Sequence, residues 1–117
     1  MARLSTHVLD TSRGKPAQDM MVDLHICSNG ERRHVNTWRT SSDGRTREPL
    51  LSADRLETGI YELTFHAGDY FRTAGIQLPN PPFLDDIVIR FGIADPAGNY
   101  HVPLLLSPYG YSTYRGS

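Results

Sequence analysis

The chain predicts an all-β protein, a sandwich of short strands with a single short helix. Three observations lead there. Apolar residues recur at every second position in segment after segment, the period of a half-buried strand. Turn signals punctuate these segments at the close spacing expected of a sandwich, roughly every 8–12 residues. Helix signals appear in one place only, residues 69–74, with Asp69 as a possible N-cap and Gly75 as the stop.

Taken in order, residues 4–9 open the chain as a strand, ended by Arg13-Gly14-Lys15-Pro16. Val22, Leu24 and Ile26 alternate with Asp23, His25 and Cys27 in the next strand, closed by Ser28-Asn29-Gly30. Residues 35–39 alternate less clearly, with Val35, Thr37 and Arg39 against Asn36 and Trp38. Asp43-Gly44 marks a tight turn, and residues 50–57 have no clear period and read as loop. After Thr58-Gly59, Tyr61, Leu63, Phe65 and Ala67 face one way along residues 60–67. The short helix and a cluster of prolines within residues 79–82 come next. Ile87, Ile89, Phe91 and Ile93 then define a strand over residues 87–94, closed by Pro96-Ala97-Gly98-Asn99. Residues 101–106 form a further strand and residues 112–115 a short last one. Pro103 donates no ladder bond, which predicts an edge position or irregular pairing. The unbroken run Leu104-Leu105-Leu106 predicts cover on both faces, either by the core or by a second subunit.

The chain has 117 residues, 38% hydrophobic and 21% charged, which fits one domain over residues 1–117 with a core of ordinary size. A net charge of -1 provides no basic field, so nucleic acid is not expected as a partner. No run is apolar enough to span a membrane. Cys27 is the single cysteine, so no internal disulfide can form. Residues 1–10 lack an export pattern. The expected location is the cytoplasm, or the periplasm if an export signal has been removed.

Of the five histidines, His25, His34 and His66 fall at outward or turn-proximal positions and read as solvated. His25 and Cys27 share a strand face, but a metal site needs three or four ligands, and no metal is expected. His7 lies on the strand face opposite Thr6 and Val8, and His101 opens the strand through Val102. Periodicity alone reads both as exposed histidines on edge strands. Arg45 follows the Asp43-Gly44 turn and reads alone as a solvated arginine beginning a strand. Residues 100–117 are rich in aromatic, hydroxyl and cationic side chains and hold no acidic residue. As a set these groups suit hydrolysis of a polar, amide-like ring. Imidazole moves protons near neutrality, guanidinium forks onto paired oxygens, and a hydroxyl donates or accepts.

Three blocks carry a family likeness. They are Leu4-Ser5-Thr6-His7-Val8-Leu9-Asp10, Thr40-Ser41-Ser42-Asp43-Gly44-Arg45, and residues 101–117 from His101-Val102-Pro103 to Tyr114-Arg115-Gly116-Ser117. In these the chain resembles the transthyretin-like proteins, and among them the 5-hydroxyisourate hydrolases. The resemblance implies a transthyretin-like (prealbumin-like) sandwich of two antiparallel sheets with one short helix. It implies a homotetramer, a dimer of dimers, whose central channel holds the sites. It implies hydrolytic opening of 5-hydroxyisourate, a product of urate oxidation, without metal or organic cofactor. It assigns catalytic roles to His7, Arg45, His101 and Ser117. Tyr114, Arg115 and Gly116 join His7 and Arg45 in holding the substrate. One departure is visible: Asn99 stands where many members have a second histidine, and it is expected in the preceding turn. The competing expectation is a carrier of a small hydrophobic ligand such as a hormone, with the same sandwich and channel but no catalysis.

Overall fold

The computed structural model describes residues 2–116. Eight strands and one helix follow one another as β1 (Arg3–Asp10), β2 (Lys15–Pro16), β3 (Met21–Ser28), β4 (Glu31–Arg39), β5 (Gly59–His66), α1 (Ala67–Thr73), β6 (Asp86–Ile93), β7 (Asn99–Ser107) and β8 (Gly110–Thr113). They form two four-stranded sheets, ordered β2-β1-β7-β8 and β4-β3-β5-β6. Every pairing is antiparallel except β1 with β7, which run parallel.

Alternation does what the sequence predicts. Leu4, Val8, Leu104 and Leu106 from one sheet meet Leu24, Tyr61, Leu63, Phe65 and Ile87 from the other in a closed core. Leu105, between two buried leucines, turns outward and is half-buried. The leucine run is therefore covered by the core on one face of β7. β4 is the edge strand whose alternation was weak. A register shift against Leu24 and His25 inserts one extra residue there, so Val35 and Trp38, three apart, both reach the core.

Pro103 lies in an interior strand, and its pairing is the irregular one. The His101 carbonyl accepts from the Gly116 N–H at 2.7 Å, and the Pro103 carbonyl accepts from the Thr113 hydroxyl at 2.7 Å. Both face the C-terminal segment, where Pro103 has no N–H to return. The β7–β8 ladder thus runs from Ser107–Gly110 to Leu104–Thr113, lapses, and resumes as a single bridge at His101–Gly116.

The helix starts at Ala67, two residues before the 69–74 stretch, and its N-cap is His66. The Gly68 N–H donates to the Asp85 carbonyl at 2.9 Å, and a tertiary bond thereby fixes the first turn. Asp69 is not the cap. It sits in the first turn, where a carboxylate suits the helix dipole, and pairs with Arg72 at 3.0 Å. Gly75 ends the helix as expected: its N–H bonds the Arg72 carbonyl and that of Ile76 the Phe71 carbonyl, the paired bonds of a Schellman motif. Residues 50–57 include one 3-10 turn, Ala53–Arg55. Helix α1 is tied to the end of β1 through Asp10, which is fully buried. Its carboxylate accepts from the Tyr70 hydroxyl at 2.8 Å and the Ser12 hydroxyl at 2.6 Å. Burial, reinforced by the Asp10 charge, pushes the Tyr70 phenol up to about 12.

His66 departs from its expected solvated state. Its Nε2 lies 2.7 Å from Asp23 and its Nδ1 3.0 Å from Asp86, so the ring clasps β3 and β6 across β5. Thr37 donates to the same Asp23, and His34 lies 3.7 Å from it. Burial by itself would lower the His66 pKa. The two carboxylates outweigh it and raise the pKa above the usual histidine value. Burial likewise would raise Asp23, but the Thr37 and His66 bonds outweigh it and hold the carboxyl low.

A raised native pKa means that the folded chain binds the His66 proton more tightly than the unfolded chain. That stabilisation is complete below the unfolded value of roughly 6.5 and is lost as pH rises through the folded value. The Asp23 contribution is lost only in strong acid. His66→Gln is expected to lower the melting temperature most near about pH 5.5, with the gap to wild type narrowing by about pH 8.5. Thermal melts of both proteins across that range check it.

Candidate active site

The edge of β1 away from β7 sets the site. β7 covers one edge along the whole strand, while three separate segments cover the other in turn. β2 pairs with Leu9 and Asp10, Arg45 bridges His7, and Leu51 bridges Leu4. The Gly44 carbonyl also accepts from the Val8 N–H at 2.8 Å. Arg45 is delivered beside His7 by backbone pairing alone, as one bridge followed by loop rather than as the start of a strand.

The turn before it is built for this. The Asp43 carboxylate accepts from the Ser41 hydroxyl at 2.7 Å and the Arg45 N–H at 2.9 Å. These two bonds hold its pKa below the usual carboxylate value. Gly44 has φ +81°, and a Cβ there would lie 2.3 Å from the Val8 carbonyl oxygen. Only glycine lets the turn approach β1 this closely.

Parallel pairing places Ser5 opposite His101 and His7 opposite Pro103. Their side chains share the outer face of the sheet, and each imidazole is held. His7 Nε2 lies 2.8 Å from the Asp43 carbonyl oxygen. A carbonyl only accepts, so Nε2 carries the hydrogen and a neutral His7 keeps its lone pair on Nδ1. His101 Nδ1 lies 2.9 Å from Ser5 Oγ. Burial lowers the His101 pKa below the usual value, helped by the positive charge of Arg45 and by His7 and Arg3. His101 is therefore neutral at neutral pH and able to accept a proton.

A cleft of about 340 Å³ opens over this face, within the range of small-ligand sites. Arg3, Ser5, Arg45, Arg47, Asn99 and His101 line it, with Glu48 the one acidic side chain in its wall. Asn99 is the first residue of β7 rather than part of the preceding turn, and its buried Oδ1 has no hydrogen-bond partner among the described residues.

The C-terminal segment closes one side through its backbone. A Cβ on Gly116 would lie 2.7 Å from His101 Cδ2, so the chain packs directly on the imidazole ring. Tyr114 and Arg115 are not brought to the cleft in the single chain. They line a separate groove with Ile89, Phe91, Tyr100 and Val102. The Arg115 guanidinium stacks 4.2 Å from the Tyr100 ring centre and donates to the Asn99 carbonyl at 3.2 Å. Ser117 lies outside the described residues. Of the residues singled out in the sequence, His7, Arg45, His101 and Gly116 converge. Ser5, Arg3 and the Asp43 carbonyl were missed. Ser5 and Arg3 share His7's strand face at spacings of two and four, a signal that simple alternation carries. Among the described residues no group of three or more His, Cys, Asp or Glu could hold a metal ion.

A model of the HIUase/Transthyretin family matches residues 4–116, and the chain belongs to that family. The chain is 57% identical over 115 residues to 5-hydroxyisourate hydrolase 2 of Rhizobium meliloti, covering 98% of this chain and 96% of that one. It is 54% identical over 117 residues to the 5-hydroxyisourate hydrolase of Ralstonia nicotianae, covering 100% of both. Among solved structures, a 5-hydroxyisourate hydrolase of Klebsiella pneumoniae superposes with a TM-score of 0.80 at 36% identity, over the whole of both chains. A crystal structure of (S)-allantoin synthase superposes with a TM-score of 0.92 at 45% identity. That match covers 99% of this chain and 44% of the synthase. The two-sheet transthyretin-like sandwich expected from the sequence is the fold observed.

Gly116→Ala is expected to push the segment off the His101 ring, expose it and raise its pKa toward about 6.5. NMR titration of the His101 ring protons measures this. A titration identical to wild type would show that the contact does not matter.

Proposed function

We propose that this chain is a 5-hydroxyisourate hydrolase, working as a single domain that opens the substrate ring by attack of water. The observation that carries the reading is the placing of two held imidazoles on one sheet face, with His101 and Arg45 lining a cationic cleft. The relatives that carry this activity in their names support it at full length.

Water attacks a ring carbonyl, the C–N bond of that cyclic amide breaks, and the two ends become the carboxylate and the ureido group. The product is 2-oxo-4-hydroxy-4-carboxy-5-ureidoimidazoline. One imidazole takes the proton of the attacking water and, as imidazolium, returns it to the departing nitrogen while the other orients the water, a contribution of about a hundredfold to ten-thousandfold. Arg45 holds substrate oxygens and stabilises the negative charge that develops on the attacked carbonyl. Ser117 supplies a hydroxyl to the reacting groups, and Gly116 walls the site beside His101. Tyr114 and Arg115 complete the substrate's enclosure in a homotetramer, a dimer of dimers in which neighbouring copies share a channel. Exposed Tyr111 and Tyr114 on the C-terminal segment fit such a contact. The carrier reading has no matching support. The cleft lining here is largely charged and hydrogen-bonding, where a hydrophobic hormone needs an apolar one. A cytoplasmic location goes with the proposal and fits the free thiol of Cys27. Among the described residues no helix is long and apolar enough to cross a membrane.

The test is the absorbance decay of freshly made 5-hydroxyisourate. His101→Ala and His7→Ala are each expected to lower kcat by about a hundredfold or more. Wild-type rates in both would sink the assignment. Removing residues 114–117 is expected to abolish most activity, and full activity in the truncated chain would take the segment out of the mechanism. Light scattering tests the assembly: a mass near 13.1 kDa would contradict the tetramer.

The lowered His101 pKa also sets a pH dependence. The neutral ring is the active form, so kcat/KM is expected to hold as pH falls to about 6.5 and to decline only below it. A stopped-flow pH profile measures the acid limb. A midpoint above the usual histidine value would contradict the geometry.

A further inference from the structure

We propose that Ser5 is a positioning residue, whose hydroxyl accepts the Nδ1 hydrogen of His101 and so presents a bare Nε2 to the cleft. This rests on the hydrolase reading for its kinetic consequence but not for its structural one.

The ring of His101 is held on two sides. Ser5 Oγ lies 2.9 Å from Nδ1, and the Gly116 backbone is so close to Cδ2 that a Cβ would reach 2.7 Å. That leaves Cε1 and Nε2 as the open edge of a ring that lines the cleft with Ser5 and Arg45. A hydroxyl can donate or accept, so the hydrogen bond alone does not choose the tautomer. The cleft chooses it. Arg45 and Arg3 are permanent cations whose charge acts on the His101 ring. A lone pair facing guanidinium groups is attracted by them, whereas an N–H dipole there is repelled. The hydrogen therefore sits on Nδ1, where Ser5 receives it, and Nε2 is the proton acceptor.

The contact follows from the fold. Ser5 and His101 are directly opposed in the parallel β1–β7 register, and both side chains emerge on the outer face. No other hydrogen bond is made by the Ser5 side chain among the described residues, so its hydroxyl is free to serve the ring. With His7 fixed through Nε2 by the Asp43 carbonyl, the two imidazoles expose different nitrogens. In His101 it is Nε2 and in His7 it is Nδ1.

The experiment compares the intact wild-type chain with Ser5→Ala and Ser5→Thr. Long-range nitrogen–proton NMR of the His101 ring reads the tautomer without substrate. Wild type and Ser5→Thr are expected to show the Nδ1–H form, and Ser5→Ala a mixture. Turnover of 5-hydroxyisourate is expected to fall about a hundredfold in kcat for Ser5→Ala, the scale of a misplaced catalytic group, with KM within about twofold. Threonine is expected to restore most of it. An unchanged tautomer in Ser5→Ala, or a threonine variant as impaired as alanine, overturns the proposal. A wild-type chain that does not turn over 5-hydroxyisourate overturns the hydrolase reading instead, and the spectra still decide the role of Ser5.

Discussion

The parallel pairing of β1 with β7 is the constraint on which the site depends. It joins strands from the two ends of the chain and opposes Ser5 with His101 and His7 with Pro103. Because side chains alternate, a slip of one residue in this register would turn the imidazole of the slipped strand into the core, bringing Val102 out if β7 moved or Thr6 if β1 did. The inward residues Leu4, Val8, Leu104 and Leu106 oppose any such slip, since each contributes on the order of 1.5–3 kcal/mol by leaving water. The hydrophobic core thus holds the polar face in register. The other edge of β1 adds Arg45 by the same means, hydrogen bonds of the main chain rather than attraction between side chains.

Two histidines show how the same side chain is set to opposite ends by its surroundings. His101 sits in a part-buried cleft beside arginines, where a second positive charge is unwelcome, and burial and those cations keep it neutral. His66 sits between two aspartates on the other sheet, whose charges favour its protonated form. One bridges two strands between carboxylates, and the other is kept uncharged and available. The two lie on different sheets, so each can be tuned without disturbing its counterpart.

Most of the strands were legible because period-two alternation survives wherever one face is buried, as in β1, β3, β5 and β6. β4 was not, because its extra residue at Val35 shifts the pattern by one, and a bulge has no signature in a single sequence. The start of α1 was missed because a bond from Gly68 to Asp85 overrides local capping. His7, Arg45 and His101 could be picked out through family likeness, yet their meeting could not be derived from spacing. It requires the parallel register between the first strand and a strand some ninety residues later. Ser5 was invisible for that reason: its partner lies across the register, not along the chain. The directions of Tyr114 and Arg115 were equally hidden. Where the Arg115 side chain goes depends on the Tyr100 ring and the Asn99 carbonyl, neither of which announces such a role.

Pro103 gives the C-terminal segment an independence that a regular strand would deny it. The break in pairing leaves residues 114–116 joined to β7 by one main-chain hydrogen bond at Gly116 and by the Arg115 side chain on the Tyr100 ring and the Asn99 carbonyl. Each such contact contributes on the order of 0.5–1.5 kcal/mol, a small fraction of a domain's stability. The wall beside His101 can detach and reseat while β8 and the sandwich stay folded, as a local opening far cheaper than global unfolding. A ligand that bonds to the segment and to the cleft at once would stabilise the seated form by its own binding energy. In that sense the proline makes the wall a latch whose closing is coupled to occupancy.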